Sequence, residues 1–462
     1  MTDFSSLLQP DRGEAAISIA RIGGEGFEAW LKTQSVQVRT LVTASQFKAK
    51  AGELLILPGS RDGEWSGVLG AAAKPRPWDL AAAAQALPAG IYRLTEDMAA
   101  DSALGWLLAH HRFDRYLAKP EPIPQRVLLT KDIAGIAAVV TMAEAIAMAR
   151  DLIDTPAADL GPTELEDAAQ AIAKSGGAQV RITRGDALDR DYPMIAAVGR
   201  AASRERAPRL IELEWGEESH PRVAVIGKGV CFDSGGLDIK PSSAMLLMKK
   251  DMGGAAHALA LAKLIMASRL PIRLHMLIPA VENAVSAEAF RPGDVLRSRK
   301  GISVEIGNTD AEGRLILADA LARAIEEKPA LVVDFATLTG AARVALGPDL
   351  PALFANDDAL ADEIGEAARK VSDPVWRLPL WPDYAELLKS GVADINNASE
   401  GSFAGAITAA LFLQKFVPDG TPWAHLDTFA WRPSARPGRP KGGDALGLRA
   451  IFAMLQGKFV TA

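Results

Sequence analysis

The sequence predicts an α/β protein: a C-terminal catalytic helix–sheet–helix sandwich with a mostly parallel central sheet, and a smaller N-terminal α/β domain. Three continuous apolar runs, at 222–227, 273–280 and 330–336, indicate strands covered on both faces. Helical patterns at 255–268 and 314–328 lie between them. We therefore expect a ligand site at the carboxyl ends of these strands.

Residues 1–130 are predicted to form the N-terminal α/β domain. The predicted elements alternate in type, with strands at 15–22, 52–59 and 125–130 and helices at 77–87 and 102–117. Helices between strands are typical of a small α/β domain. The segment contains no recognisable chemical motif, so the site is expected elsewhere.

Residues 131–156 are predicted to form a linking helix, and residues 157–462 the catalytic domain. The apolar helical pattern of the linker stops at Thr155, because a residue before proline disfavours the α conformation. In the next helix, Thr163 and Glu166 fit a capping box, and Gly177 fits its end.

Composition excludes several classes of protein. Of the 462 residues, 49% are hydrophobic and 23% charged, which is ordinary globular composition, and the net charge of −6 favours neither nucleic acid nor an anionic membrane as a partner. Cys231 is the single cysteine, so no intrachain disulfide can form. The sequence begins without a signal-peptide pattern and contains no apolar run of membrane-spanning length. We expect a cytoplasmic protein.

The segment GNTDAEGRL, at 307–315, crowds charge at a predicted strand-to-helix corner. Thr309, three residues before Glu312, fits a capping box, and an acid at a helix N-terminus suits the helix dipole. That interpretation leaves Asp310 and Arg314 without a role.

A glycine-rich segment at 224–256 follows the first of the three apolar strands. A phosphate-binding loop is the obvious alternative, but Phe232 stands where the GxGxxG pattern needs glycine, and no GxxxxGK[ST] is present. A metal site fits better, since four carboxylates occur in the two charged segments: Asp233, Asp251, Asp310 and Glu312.

Four converging carboxylates would repel one another without a cation between them. Two divalent ions would remove that repulsion and would lower the pKa of a nearby lysine, so Lys228 could serve as a neutral amine ligand. Lys240 and Arg314 would then be cationic groups near the substrate.

Other nucleophiles and bases are less well supported. The six histidines fit no HExxH or Ser/His/Asp pattern, so packed or surface roles are expected for them. Ser234 lies outside a GxSxG motif, and Cys231 has no paired base, which favours a packing role.

Together these segments resemble the leucyl aminopeptidase (cytosol aminopeptidase) family of two-metal exopeptidases. NTDAEGRL, at 308–315, matches the family signature without a departure, and 227–256 is similar to its other active-site segment. DFATLTGA, at 334–341, and 154–165 also look like family segments. The resemblance runs from about residue 150 to the C-terminus.

The resemblance implies a division of labour among the charged residues. Asp233 and Glu312 would bridge two metal ions, manganese or zinc. Lys228 and Asp251 would complete the tighter site, and Asp310 the more exchangeable one.

The resemblance also implies which residues bind the substrate and which take part in catalysis. Lys240 would face the scissile carbonyl oxygen, and Arg314 would hold a bicarbonate ion as general base. The expected substrate-binding positions are Met248, Thr337, Leu338 and Gly340. The implied activity is removal of N-terminal, leucine-like residues from peptides by a metal-bridging hydroxide, in a homo-hexamer.

Two departures from the family bear on specificity. Ala244 stands where the family usually has glycine, and an Arg/Pro-rich insert occupies 432–441, in a region that shapes the side-chain pocket. The insert is also the one basic stretch that would suit an alternative DNA-binding or regulatory role, although nucleic acid binding is not expected from the charge balance. A hydrolase of the same architecture acting on non-peptide substrates is a third possibility.

Overall fold

The computed structural model describes residues 2–72, 74 and 76–460. The chain divides into two compact units: Met1–Ala147 with Ser434–Lys441, and Met148–Pro433 with Gly442–Ala462. The division falls inside one continuous helix, Ile136–Asp154. The boundaries 1–130, 131–156 and 157–462 therefore remain predictions.

The N-terminal unit is built on a six-stranded sheet. Its strands are β1 Leu8–Pro10, β2 Ile17–Gly23, β3 Leu54–Pro58, β4 Trp65–Ala71, β5 Gly90–Leu94 and β6 Arg126–Thr130. Its helices are α1 Gly24–Thr33, α2 Val36–Ala44, α3 Ala81–Ala86 and α4 Leu104–Leu108, with 3₁₀ helices at Phe4–Leu7 and Ala100–Ala103. The strand order is β1-β6-β5-β2-β4-β3, and only the β3–β4 pair is antiparallel.

The three strands predicted in this unit are present, but one helix was predicted too long. Of the pattern at 102–117, only α4 is an α-helix, and it ends at Leu108. Beyond it, Arg112 donates to the carbonyl of Glu121, which holds the chain in turns. Strand β4 was missed because two glycines interrupt its apolar alternation.

The second unit contains the remaining elements. Its strands are β7 Gln179–Arg184, β8 Arg209–Trp215, β9 Arg222–Gly227, β10 Gly229–Asp233, β11 Arg273–Asn283, β12 Val295–Arg297, β13 Ser303–Glu305, β14 Leu331–Ala336, β15 Ala352–Ala355, β16 Trp376–Arg377, β17 Ile395–Asn396, β18 Trp423–Asp427, β19 Trp431–Arg432 and β20 Gly442–Gly443. Helix α5, Ile136–Asp154, is divided between the two units. The helices that lie wholly in the second unit are α6 Pro162–Gly176, α7 Asp186–Asp191, α8 Pro193–Gly199, α9 Ser242–Met245, α10 Gly253–Ser268, α11 Glu312–Glu326, α12 Gly340–Leu346, α13 Asp358–Lys370, α14 Gly405–Gln414 and α15 Leu448–Val460, with 3₁₀ helices at Arg204–Arg206, Met248–Met252 and Pro382–Leu388.

A nine-stranded, mostly parallel sheet forms the centre of this unit. Its order is β16-β15-β18-β14-β9-β11-β8-β7, with β10 paired to β11. The three apolar runs found in the sequence are its adjacent strands β14, β9 and β11, and they pair in parallel. The predicted α/β class and the parallel centre of the sheet are confirmed.

Both faces of the central strands are buried. Ala224 and Ile226 of β9 belong to a core that includes residues of α11 and α14. Val223 and Val225, which alternation turns to the opposite face, are equally buried, and α10 packs against the same strand. This arrangement explains why the strands read as continuous apolar runs.

The capping box predicted for α6 is wrong in both residues, because Gly161 and not Thr163 precedes the helix. Glu164, not Glu166, reaches back to accept a hydrogen bond from the amide of Gly161 at 2.7 Å. Glu166 instead binds Arg209, 2.6 Å away, because an arginine is available across the fold. Gly177 ends the helix in the left-handed conformation, as predicted.

In the part of the chain that the structure describes, no helix has the length and apolar character required to cross a membrane.

Candidate active site

The residues singled out for chemistry gather at one edge of the central sheet, where parallel strands end. Lys228 follows β9, Asp233 closes β10, and the turn from Thr337 follows β14. Because the carboxyl ends of parallel strands meet at one edge, residues 109 positions apart are in contact: Lys228 Nζ donates to the Thr337 carbonyl at 3.1 Å. These residues therefore converge at the carboxyl ends of the strands, where the sequence predicted the site.

Lys228 is a buried ammonium held between two carboxylates. Its Nζ lies 2.7 Å from Asp251 Oδ2 and 2.9 Å from Glu312 Oε1. Burial lowers the pKa of Lys228, but the attraction of Asp251 and Glu312 outweighs burial and leaves the pKa above its usual value. Nζ is close enough to both carboxylates that, as a neutral amine, it could bind the same metal ion as they do.

Two glycines allow this close packing around Lys228. A Cβ on Gly313 would lie 2.5 Å from Lys228 Cε, and a Cβ on Gly254 would lie 2.1 Å from the Phe335 carbonyl oxygen. Any side chain at either position would displace Lys228 or the strand beside it. The glycines at the starts of α10 and α11 are thus required by the site.

Lys240 joins a second pair of carboxylates. Its Nζ lies 2.7 Å from Asp233 Oδ2 and also pairs with Asp310 Oδ1. Asp233 Oδ1 accepts hydrogen bonds from Asn283 Nδ2 and the Gly235 amide, each at 2.9 Å. These bonds fix Asp233 with its other oxygen toward Lys240.

The capping box predicted at the start of α11 is wrong. The Thr309 hydroxyl donates to the Gly235 carbonyl at 2.7 Å and accepts from the Asp238 amide at 2.9 Å. Ala311 precedes the helix and provides no side-chain cap. The Thr309 hydroxyl is therefore bonded to the backbone of the neighbouring loop and does not cap the helix. The Glu312 carboxylate lies next to Lys228.

Three carboxylates form a cluster suited to a cation. Asp233, Asp310 and Glu312 each bring an oxygen within 4.8 Å of the others. Among the residues described, the ion pair of Oε1 with Lys228 is the one polar contact of the two buried Glu312 oxygens. Burial and the charge of Asp233 raise the pKa of Glu312 to about 8 and that of Asp310 to about 6. Crowded carboxylates with unsatisfied oxygens fit the hard oxygen ligands of a divalent cation.

Asp251 reaches the cluster from the 3₁₀ helix Met248–Met252. The Thr337 hydroxyl donates to Asp251 Oδ1 at 2.8 Å and to the Asp251 carbonyl at 2.9 Å. Asp251 Oδ2 faces Lys228. The strand-end turn therefore orients this carboxylate before any ligand is bound.

Arg314 is buried just behind the carboxylates. Its Nη1 donates to the Asn397 carbonyl at 2.7 Å, while its Nε is buried without an acceptor in the described structure. Burial lowers the pKa of Arg314 to about 10, so the guanidinium stays charged at neutral pH. A buried, charged donor without an acceptor fits a small anion.

A cavity of about 390 Å³ opens onto the cluster. The predicted site residues that line it are Lys228, Asp233, Lys240, Met248, Asp251, Asp310, Thr337, Leu338 and Gly340. Glu312 and Arg314 are buried but are not part of its wall.

Two residues that support the site were not identified from the sequence. Asn283 holds Asp233 and also donates to the Thr309 carbonyl at 3.1 Å. Asp427 accepts from the Leu338 amide at 2.9 Å and from the Thr339 hydroxyl at 2.6 Å. Each closes a buried strand, β11 or β18, and a polar residue at a strand end is the signal that could have found them.

The alternative nucleophiles and bases have structural roles. The Ser234 hydroxyl donates to the Asn283 carbonyl at 2.7 Å, and Cys231 is fully buried. His257 and His425 are also fully buried, the first against the Gly253 carbonyl and the second beside Asp334.

Ala244 and the Arg/Pro-rich insert at 432–441 are the two departures from the family pattern. Ala244 lies in α9 and lines the cavity. In the Arg/Pro-rich insert, Arg432 pairs with Asp444 and Asp349, and Arg439 lies over the ring of Trp78. These contacts tie two arginines of the basic stretch to neighbouring residues of the fold.

The chain is similar to known proteins over most of its length. Residues 147–452 match the cytosol aminopeptidase family, catalytic domain, and residues 17–129 match the M17 aminopeptidase N-terminal domain. Probable cytosol aminopeptidases from Syntrophotalea carbinolica and Roseiflexus castenholzii are 42% and 39% identical to this chain. The first match covers 76% of this chain and 73% of the relative, and the second 78% and 77%.

Two solved structures share the whole architecture. The cytosol aminopeptidase from Coxiella burnetii has a TM-score of 0.93 at 47% identity, covering 98% of this chain and 99% of that one. The bottromycin maturation enzyme BotP in complex with Mn has a TM-score of 0.87 at 32% identity, covering 96% and 100%.

Proposed function

Because the chain belongs to the cytosol aminopeptidase family, we propose that it is a metal-dependent aminopeptidase that removes leucine-like N-terminal residues from peptides. Membership of this family indicates aminopeptidase activity. The observation that supports metal dependence is the cluster of Asp233, Asp310 and Glu312, whose oxygens lie within 4.8 Å of one another beside a cavity.

The ligands of two divalent ions, manganese or zinc, would come from five side chains. Asp233 and Glu312 would bridge the ions, Lys228 and Asp251 would complete one site, and Asp310 the other. Lys228 would bind as a neutral amine, so its ammonium must release a proton on metal binding. When bound, such ions supply Lewis acidity and lower the pKa of water, which makes a hydroxide nucleophile available near neutral pH.

Lys240 is the residue of this chain best placed to stabilise the reacting carbonyl. Its ammonium lies at the cavity wall. Burial lowers the pKa of Lys240, but the attraction of Asp233, Glu312 and Asp310 outweighs burial and keeps it charged. A charged N–H donor toward the oxyanion is worth a few kcal/mol in comparable sites.

The remaining cavity wall would bind the first side chain of the substrate. Met248 and Leu338 offer apolar surface, and Gly340 leaves room beside Thr337. Asp427 holds the amides of Leu338 and Thr339, which fixes this wall. The combination favours a leucine-like side chain.

Arg314 would hold a bicarbonate ion as general base. Its buried Nε has no acceptor within the described part of the chain, and its guanidinium has the planar geometry that matches a small oxyanion. This role would explain the lack of a catalytic histidine.

The test is hydrolysis of leucine anilide before and after chelation, followed by restoration with manganese, zinc or cobalt. We expect chelation to abolish turnover and one of the metals to restore it. Asp310→Ala should be folded but inactive, whereas Asp362→Ala, which removes an exposed carboxylate of α13, should be as active as the wild type. Full activity after chelation, or in folded Asp310→Ala, would contradict the two-metal proposal.

The family resemblance also supports a cytoplasmic homo-hexamer. Sedimentation of the purified chain tests the assembly, since six copies of a 48.9 kDa chain are readily distinguished from one.

A further inference from the structure

Two cationic side chains of the cavity lack an acidic partner. Lys250 and Arg343 both line the cavity. Within residues 2–72, 74 and 76–460, neither side chain makes a hydrogen bond or an ion pair. Both cations contact the ring of Phe429. Lys250 Nζ lies 4.8 Å from its centroid, and Arg343 Cζ lies 5.1 Å from it.

The other two lysines of the cavity are in a different situation. Lys228 and Lys240 each lie between two carboxylates. Lys250 is only 5% exposed as a residue, and it lines the cavity without an ion pair to an acid. An anion in the cavity would therefore stabilise its ammonium.

The nearby acids are already engaged. Asp251 is paired with Lys228. Asp427 accepts from the Leu338 amide and from the amide and hydroxyl of Thr339. Neither carboxylate is turned toward Lys250 by a hydrogen bond.

A purely structural role explains Arg343 better than Lys250. Arg343 lies in the last turn of α12, where a basic residue suits the helix dipole. Lys250 is central in its 3₁₀ helix, two residues after Met248, and the aromatic face of Phe429 compensates only part of its lost hydration.

We propose that Lys250 and Arg343 bind a carboxylate of the substrate, so that the cavity selects peptides with an anionic group near the bond that is cleaved. This inference rests on the proposed aminopeptidase function. An ammonium and a guanidinium in the wall of one cavity provide charged N–H donors for a carboxylate bound there. That carboxylate belongs either to an acidic first side chain or to the C-terminus of a dipeptide.

Two pairs of matched substrates distinguish the sources. The first pair is glutamate anilide against glutamine anilide, and the second is leucyl-glycine against leucyl-glycine amide. In one pair we expect kcat/KM to be about tenfold higher for the anionic member, which is the scale of one charge-assisted hydrogen bond. The pair that shows the preference identifies the carboxylate.

Variants then assign the preference to the two cations. Arg343→Gln changes an exposed side chain, and Lys250→Gln a buried one; each should bring the ratio within the responsive pair toward one. The ratio cancels any change in metal binding that is common to both substrates. Arg369→Gln, an exposed arginine of α13, is the matched control and should keep the wild-type ratio.

The outcomes separate this inference from the proposed function. Ratios near one for both pairs in the wild type, or wild-type ratios in both variants, would overturn the carboxylate site. If leucine anilide is hydrolysed in that case, the aminopeptidase function stands. If the metal-loaded protein hydrolyses none of the substrates, the proposed function itself fails.

Discussion

Helix α11 carries two buried carboxylates whose surroundings are opposite. Glu312, at its first residue, is 1% exposed, and among the described residues its carboxylate contacts one polar partner, the Lys228 ammonium. Asp319, two turns later, is 0% exposed and accepts from the backbone amides of Met194, Ile195 and Arg299. The fold supplies partners to one carboxylate and leaves the other to be completed by a ligand.

The difference shows that burial alone does not mark a functional acid. A buried carboxylate is unfavourable unless it is hydrogen-bonded or paired. Asp319 meets that requirement by fixing the start of α8 and the chain at Arg299. Glu312 has only the ion pair with Lys228, and it shares its space with Asp233 and Asp310. Buried and incompletely satisfied oxygens are the feature that indicates function.

The largest expected effect comes from Glu312→Gln. The amide keeps the shape but removes a charge that the proposed metal pair requires, so we expect kcat/KM to fall by about 10³-fold, similar to the loss of a key electrostatic group elsewhere. In chelator the stability should change little, because the variant loses the ion pair with Lys228 but also reduces the crowding of carboxylates. Steady-state kinetics and thermal unfolding measure the two effects. Activity within tenfold of wild type would contradict the role of Glu312.

Asp319→Ala should produce the reverse pattern. It leaves three backbone amides without their acceptor, so we expect the free energy of unfolding to fall by about 3 kcal/mol. Activity per folded molecule should stay within about twofold of wild type. Urea unfolding measures the loss, and Asp362→Ala, on the exposed face of α13, should change stability by less than about 0.5 kcal/mol. An inactive but stable Asp319→Ala would erase the contrast between the two acids.

The sequence was sufficient for the centre of the fold and for the residues gathered at the site. Continuous apolar runs identified β9, β11 and β14, and the charged residues after such strands converge because parallel strands end at one edge. Lys228 follows β9 and Lys240 follows β10, so both lie in the charged segment that the sequence singled out. Their division of labour remains a prediction.

Local patterns failed where distant residues compete for the same group. Thr309 has the spacing of a helix cap, but Gly235 and Asp238, more than 70 positions away, bind its hydroxyl. Asn283 and Asp427 act through contacts that only the folded chain creates. The missing acidic partner of Lys250 is likewise invisible in sequence, because a charge is unpaired only with respect to a complete set of neighbours.

The surroundings of Asp251 are intermediate between those of Glu312 and Asp319. The variant Thr337→Val tests how Asp251 is held, and its expected effect is the smallest. Asp251 has one oxygen held by the Thr337 hydroxyl at 2.8 Å and the other paired with Lys228. Valine keeps the shape of threonine but removes the donor, so we expect manganese affinity to fall about tenfold, the usual cost of losing a residue that orients a metal ligand. Competition with a chelator of known affinity measures this without reference to activity.

Thr337→Ser is the matched control, because it keeps the hydroxyl and removes only a methyl group. Wild-type affinity in the serine variant and weaker binding in the valine variant would show that the hydrogen bond orients Asp251. Equal affinity in all three proteins would show that Asp251 needs no such help. Its fixed orientation would then follow from the strand ends and Lys228 alone, and Asp251 would belong with Glu312 rather than between the two acids of α11.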